Sequence, residues 1–270
     1  MLPERVTSDS YKKINPYSSY LLRVLHSTVD EHQQRYIFAA QKLKGAKSIL
    51  DIASGCGWGS AYMADITGSN VIGIDNDEEA ITEAQANFSR LNVRYLQGDI
   101  LHLCKVVGRS SFAGIVNFET LEHFPQNLGP VILQNLKSAL ADGGKLYISS
   151  PNGPLFSPYA DTEGKPRYRY HFKEYNPDEL YQLLNSSGFD VKGVYGQRFV
   201  DPNLYLKLAR IMRPIRDAAL QKGLSWDHRQ MRLPLTILFR LAALQDDARV
   251  KPLDQACNKQ PLLLTAICEA

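Results

Sequence analysis

The chain is poor in cysteine, in net charge and in long apolar runs, and each shortage excludes something. Four cysteines (Cys56, Cys104, Cys257 and Cys268) stand far apart in 270 residues and never as a CxxC pair. That usage excludes a disulfide framework and a cysteine-built zinc centre. A formal charge of +3 is too small to mark a nucleic-acid binder by itself. No apolar run approaches the ~20 residues that span a bilayer. The opening MLPERVTSDSYKK lacks the apolar stretch of a secretory signal. Internal repeats and low-complexity tracts are absent as well. What is present is an ordinary globular composition, 44% hydrophobic and 22% charged. The expectation is a reduced, cytoplasmic enzyme of about one to two domains.

The most informative stretch is Ser48 to Ser60, SILDIASGCGWGS. Ile49, Leu50 and Ile52 around Asp51 read as a buried strand that ends at small residues. Gly55, Gly57 and Gly59 free the backbone to turn and to lie close to a ligand. A helix from about Trp58 then points its N-terminus at the same spot, the way doubly wound folds cradle a nucleotide-like cofactor. NVIGID (70–75) is a second strand ending in a carboxylate, and Asn76 with Glu79 has the spacing of a helix-opening capping box. Ile81, Ala84, Phe88 and Leu91 continue at helical spacing. Strands follow at 92–96, 111–118 and 145–149, with an amphipathic helix at 130–140 between the last two. Such alternation predicts a parallel α/β sheet with right-handed crossovers.

On either side of this core the pattern changes. A helical stretch from about Tyr20 to Lys44, with a break near Asp30, places Tyr36, Ala39, Ala40 and Leu43 on one face. Residues 151–176 are irregular and aromatic, the usual form of a functional cover. Asn176, Pro177 and Glu179 open another helix, and strands follow at 189–195 and 261–269. The fold class expected is α/β: a Rossmann-like, seven-stranded, mostly parallel sheet with helices on both faces and a helical insertion before the last strand. Residues 1–44 form an arm and helices covering the cofactor, 45–200 with 252–270 the core, and 201–251 the insertion.

Two cofactor classes compete for the glycine loop. A nicotinamide or flavin dinucleotide calls for G-x-G-x-x-G, but the sixth position from Gly55 is Ser60. Asp75 suits either class, because both offer a ribose diol. Asp99, in QGDI after the third strand, sits where it would meet an adenine amino group, which a dinucleotide domain does not need. DIASGCGWG, VIGIDNDEEAI, QGDI, NFETLEHF and GGKLYISSPN, in that order, resemble the ordered motifs of class I S-adenosyl-L-methionine-dependent methyltransferases, over about residues 35–195 plus the last strand. LEHF, HFKEYNPDELYQLLNSSGF, EHQQRY and YGQ resemble small-molecule members: ubiquinone-biosynthesis-like enzymes and those acting on sugars or glycans. Ala53 stands where many members have Gly.

That resemblance implies the cofactor S-adenosyl-L-methionine and a set of residues to hold it. Asp51 orients the loop and reaches toward the methionine amine. Ala53, Ser54, Gly55 and Gly57 give close backbone approach. Asp75 takes the ribose hydroxyls, Asn76 flanks the adenine, Asp99 meets its amine and Ile100 packs beside it. Asn117 lies near the methionine end, and Arg35 pairs with the cofactor carboxylate or is simply a solvated helix arginine. An oxygen acceptor also needs its proton removed, which points to His123 or His171 as general base with Glu119 as orienting group. Glu119, Glu122 and His123 would share one face of a helix, a spacing that permits metal ligation, yet no metal is expected. The acceptor expected is a small molecule, anionic or sugar-like, with another natural product or a quinone-like phenol as the alternative. Arginines and tyrosines interleave at 165–173 and could grip such a molecule. RNA is disfavoured, since the Asn/Asp-Pro-Pro-aromatic motif that holds a flipped base is missing. The insertion carries ten Lys/Arg against five Asp, enough for a subunit or peripheral membrane contact.

Overall fold

Ser48–Ile52 (β1) is apolar on both faces because both faces are covered: Ile49, Leu50 and Ile52 are all buried, as in a central parallel strand. The computed structural model describes residues 7–13, 27–156, 170–221, 248–253 and 259–270. The other strands are β2 Asn70–Asp75, β3 Val93–Gln97, β4 Phe112–Phe118, β5 Leu140–Pro151, β6 Asp190–Val200, β7 Lys251–Pro252 and β8 Gln260–Glu269. They form one sheet in the order β3-β2-β1-β4-β5-β8-β6-β7. The first five pair in parallel, while β8 runs antiparallel to β5 and β6. After β1 the chain builds outward to β3, then returns to place β4 on the other side of β1. This reversal opens a crevice at the carboxyl ends of β1 and β4, the ligand position of doubly wound sheets.

Helices cover both faces. They are α1 Ser8–Lys13, α2 Ser27–Lys42, α3 Trp58–Thr67, α4 Glu78–Phe88, α5 Leu103–Val107, α6 Gly129–Ala139, α7 Gly153–Phe156, α8 Pro177–Ser186 and α9 Pro202–Gln221. Strand alternation sorts the core. Leu50 and Ile52 join Ile132 and Leu136 of α6 and Leu180 and Leu184 of α8 on one face. Ile49 joins Tyr36, Ala39 and Ala40 of α2 and Met63 and Ala64 of α3 on the other. Asp51, two residues after Ile49, therefore points into the second layer.

The carboxylate of Asp51 is 1% exposed and survives there because it is fully engaged. The Tyr36 hydroxyl lies 3.0 and 3.2 Å from its two oxygens, and the Ser60 hydroxyl donates at 2.6 Å. Burial pushes its pKa up to about 7; the Ser60 and Tyr36 hydrogen bonds pull it down, and the charge of Asp75 adds to the rise. Gly59 makes this approach possible. A Cβ there would stand 2.0 Å from the Tyr36 ring.

Several expectations change. The sheet has eight strands rather than seven, because two residues, Lys251–Pro252, add an edge to β6 opposite Tyr195 and Gly196. Asp30 lies in the first turn of α2 and its carboxylate meets Arg198 at 3.1 Å, while the part of the expected helical stretch before Ser27 lies outside the described residues. Asp77, not Asn76, caps α4, accepting from the Glu79 N–H. Leu91 lies beyond the helix end and is exposed. The turn after β4 is a 3-10 helix, Leu121–His123, so Glu119, Glu122 and His123 do not line one α-helical face. The capping box at Asn176 and Glu179 is present as read. Arg167, Lys165 and most of the insertion after Gln221 fall outside the described residues.

Two outcomes follow. Gly59→Ala is expected to lower unfolding stability by ~1–3 kcal/mol, because the Tyr36 ring it strikes is held edge-on by Trp58 and Phe118; urea denaturation measures this, and an unchanged midpoint would mean the ring yields freely. Asp51 binds its proton more tightly folded than unfolded. Its contribution to stability is thus fully present below about pH 4 and is lost as the pH rises through about 7. The stability of Asp51→Asn relative to the native chain should accordingly improve between pH 5 and pH 8, by at most ~3 kcal/mol, since the ~1.4 kcal/mol per pH unit applies only up to about pH 7. A difference independent of pH would rule this out.

Candidate active site

The crevice is edged by two residues that L-amino acids seldom allow. Ala53 after β1 has φ 61° and Glu119 after β4 has φ 52°, each an αL conformation that a non-glycine residue holds at a cost of roughly 1–3 kcal/mol. Both turn the chain sharply at the carboxyl ends of neighbouring strands. The loop between Ala53 and α3 is pinned from several directions. Ser54 N–H donates to the Ile74 carbonyl at 2.9 Å, and Gly55 N–H donates to Asp75 Oδ2 at 2.8 Å. Asp75 Oδ1 accepts in turn from Asp77 N–H at 3.0 Å.

The glycines of this loop differ in purpose. Gly55, at φ 56°, has nothing within 4 Å of where a Cβ would stand, so its backbone borders open space. Gly57, at φ 83°, has no such space: a Cβ would lie 2.6 Å from Ala84 and 2.7 Å from Tyr95. Its position is set by packing, and the Tyr95 hydroxyl donates to its carbonyl at 2.8 Å. Of the remaining residues named for the cofactor, Asp99 is exposed at the rim and accepts from the Leu101 N–H at 2.9 Å. Ile100 is buried in the main apolar cluster. Asn76 is exposed beside Asp75, its carbonyl taking a hydrogen bond from Gln97.

Three buried polar side chains near the two turns carry atoms that no described residue satisfies. Asn117 donates to the Ile52 carbonyl at 3.1 Å and to the Thr120 hydroxyl at 3.0 Å. Its Oδ1, the Ser54 hydroxyl and Arg35 Nε lack a partner among the described residues. Arg35 is not a solvated helix arginine. It is 1% exposed, donates to Gln197 Oε1 at 2.8 Å and lies 3.9 Å from Glu119 Oε1. Unsatisfied buried polar atoms cost roughly 1–3 kcal/mol each, and a polar ligand at this place would satisfy them. The residues present fit S-adenosyl-L-methionine. Arg35 Nε and Asn117 Oδ1 suit an amino-acid end, and a carboxylate such as Asp75 at the end of β2 suits a ribose diol.

Next to this cradle lies a second group. Glu119 takes a hydrogen bond from the Ser149 hydroxyl at 2.7 Å. Glu122, 1% exposed, is held by burial, and then by the charge of Glu119, well above the ordinary carboxyl range. Its carbonyl accepts the Phe172 N–H at 2.7 Å, which docks the segment before α8 onto the turn after β4. His123 and His171 thereby meet edge to face with ring centroids 4.9 Å apart. His171 Nδ1 lies 2.6 Å from Glu174 Oε1, and His123 Nδ1 lies 3.2 Å from the Tyr170 carbonyl. Both histidines, Glu119 and Glu122 are legible as site candidates in the sequence, whereas Tyr36, Ser60, Gln197 and Glu174 are not. Of these four, only Glu174, three residues after His171, carried a local signal.

Residues 49–144 match the family model described as a methyltransferase domain. A curated protein of Mycolicibacterium smegmatis, described as a "Probable S-adenosylmethionine-dependent methyltransferase", is 30% identical over 165 residues, 61% of this chain. The match spans 60% of that relative's length. Among solved structures, an S-adenosylmethionine-dependent methyltransferase from Mesorhizobium loti superposes with a TM-score of 0.53 at 17% identity, covering 89% of this chain and 100% of its own. The Burkholderia thailandensis 1,6-didemethyltoxoflavin-N1-methyltransferase, solved with 1,6-didemethyltoxoflavin and S-adenosylhomocysteine, gives 0.52 at 15% identity, covering 89% and 77%. Residues 49–144 thus match a methyltransferase-domain model, and the sheet they belong to has the fold of solved S-adenosylmethionine-dependent methyltransferases.

Proposed function

We propose that this protein transfers a methyl group from S-adenosyl-L-methionine to a hydroxyl of a small-molecule acceptor, a sugar or glycan precursor, with His171 as general base. The cofactor supplies a methyl group already activated on a positively charged sulfur, so the protein's task is alignment, water exclusion and handling of the acceptor's proton. Asp75 and Gly55 hold the ribose side of the cradle, Asp99 and Asn76 its adenine rim, and Asn117 and Arg35 its amino-acid end. Asp51 orients the loop from beneath through Tyr36 and Ser60.

The observation that carries the proton step is the contact between His171 Nδ1 and Glu174 at 2.6 Å. A carboxylate on Nδ1 fixes the tautomer with the proton on that nitrogen and the lone pair on Nε2, and stabilises the imidazolium that forms when Nε2 takes a proton. His123 Nδ1 lies against the Tyr170 carbonyl rather than a carboxylate among the described residues, and His123 serves to hold the His171 ring. Glu119 binds an acceptor hydroxyl from the other side. Support for a sugar-like acceptor is the resemblance to sugar- and glycan-associated members, together with the aromatic and basic run ending in Tyr170 and Lys173. A phenol or other natural product is the alternative acceptor; RNA is disfavoured. Among the described residues no helix is long and apolar enough to cross a membrane, and the insertion at 201–251 is offered as a surface for a subunit or a membrane face.

Labelled S-adenosylmethionine with panels of sugars, phenols and RNA tests the acceptor class. On the best acceptor, His171→Ala is expected to lower turnover by ~10²–10⁴, while calorimetry finds cofactor affinity within a few-fold of the native value. Glu174→Gln should lower turnover less and leave cofactor affinity equally unchanged. Near-normal turnover in both His171→Ala and His123→Ala would overturn base catalysis by histidine.

A further inference from the structure

The geometry points to a divalent-cation site built from Glu122, His123 and His171. One ligand atom from each residue lies within 4.8 Å of the other two. Two imidazoles and one carboxylate form a borderline donor set, suited to zinc, cobalt, iron or manganese rather than calcium. Around a single zinc, with bonds of about 2.0–2.1 Å, ligand atoms stand roughly 3.4 Å apart, so side-chain rotations of about an ångström bring these three to bonding distance.

Three further observations bear on a ligand. Glu122 is 1% exposed and its Oε2 has no hydrogen-bond partner among the described residues; burying a carboxylate oxygen without a donor is costly unless a cation meets it. Both histidines turn Nδ1 toward an oxygen, the Glu174 carboxylate at 2.6 Å and the Tyr170 carbonyl at 3.2 Å. A carboxylate or carbonyl on one ring nitrogen, fixing the tautomer so that the other ligates, is the usual outer support of a metal-bound histidine. The donors are also held in place. The turn after β4 and the segment before α8 are joined by the Phe172 N–H to Glu122 carbonyl bond at 2.7 Å and by a parallel bridge between Asn152 and Tyr175.

This inference rests on the same pocket as the methyl-transfer reading and changes its proton step. A cation on His171 Nε2 takes the lone pair that base catalysis would use. An acceptor hydroxyl in an open coordination position is then acidified by the cation and gives its proton to solvent, which favours acceptors with adjacent hydroxyls that bind through two oxygens.

The test is direct binding of cobalt(II), alone, to the full chain stripped with EDTA, without cofactor or acceptor. Calorimetry should show one site, with visible d–d absorption that marks nitrogen and oxygen ligation. Glu122→Gln, His123→Ala and His171→Ala should each weaken binding by at least ~100-fold, and Glu174→Gln by ~10–100-fold. S-adenosylmethionine affinity checks that each variant is folded, and the near-isosteric Glu122→Gln serves where a histidine variant is not. No cobalt bound to the native chain, or native-strength binding to both Glu122→Gln and Glu174→Gln, overturns the site. Cobalt binding without methyl transfer to any acceptor would leave the cation site standing and count against the methyl-transfer reading; EDTA-resistant transfer with no cobalt bound would do the reverse.

Discussion

A buried carboxylate beneath the glycine loop is the constraint on which the rest depends. Strand alternation sends Asp51 into the layer under α2 and α3, where no water reaches it, so its partners had to be built in. Tyr36 comes from α2 and Ser60 from α3. Three elements distant in sequence are thereby fixed at one point. Gly59 is the counterpart in packing: the Tyr36 ring occupies the volume that any side chain at 59 would need. Shift this contact and the loop at 53–57 loses its floor.

From that floor the crevice is assembled by two tight turns, at Ala53 and Glu119, on adjacent strands. Their αL conformations aim the backbone away from the sheet just where β1 and β4 diverge, and the connection between them is Asn117, which donates back to the Ile52 carbonyl. Behind this edge runs a second polar system. Arg35 meets Gln197, whose amide also donates to the Glu31 and Ala248 carbonyls. Arg198 meets Asp30 and Glu31. It fastens α2 to β6, so the helix that carries both Tyr36 and Arg35 is held at both faces. Neither residue's placement is local.

That distance explains what the sequence disclosed. Strands β1, β2 and β4, the glycine turn and the carboxylates at 75 and 99 were legible, because short apolar runs and turn residues act over a few positions. Asp51 was legible as a loop residue but not as a raised, buried acid, since Tyr36 looked like another member of an apolar helix face. Arg35 could equally have been solvated; what decides is Gln197, 162 positions away. Asp30, in the first turn of α2, is placed in the same way, its partner being Arg198. β7 has only Lys251 and Pro252, a pair with no strand signature, and exists because β6 offers it an edge. Leu91 kept the helical period past the true stop at Phe88, a reminder that periodicity does not mark ends.

The same long-range assembly accounts for the charge of the pocket. Asp30, Glu31, Glu119, Glu122 and Glu174 are brought together by contacts that no local pattern encodes, and among the described residues the guanidinium groups that meet them are Arg35 and Arg198. Pairing absorbs Asp30 and Glu31; Glu119 has Ser149 and the more distant Arg35. Glu122 and Glu174 face the two histidines instead. A fold can accept such an excess of acid in three ways: by keeping protons, by charging histidine, or by admitting positive guests. The raised carboxyl of Glu122 is the first, and the Glu174 contact prepares the second. The third suits a cofactor that enters with a positive sulfur. Among the described residues Glu122 Oε2 lacks a hydrogen-bond donor, so a guest that brings positive charge would settle it, and the buried acid would then be part of the site's chemistry.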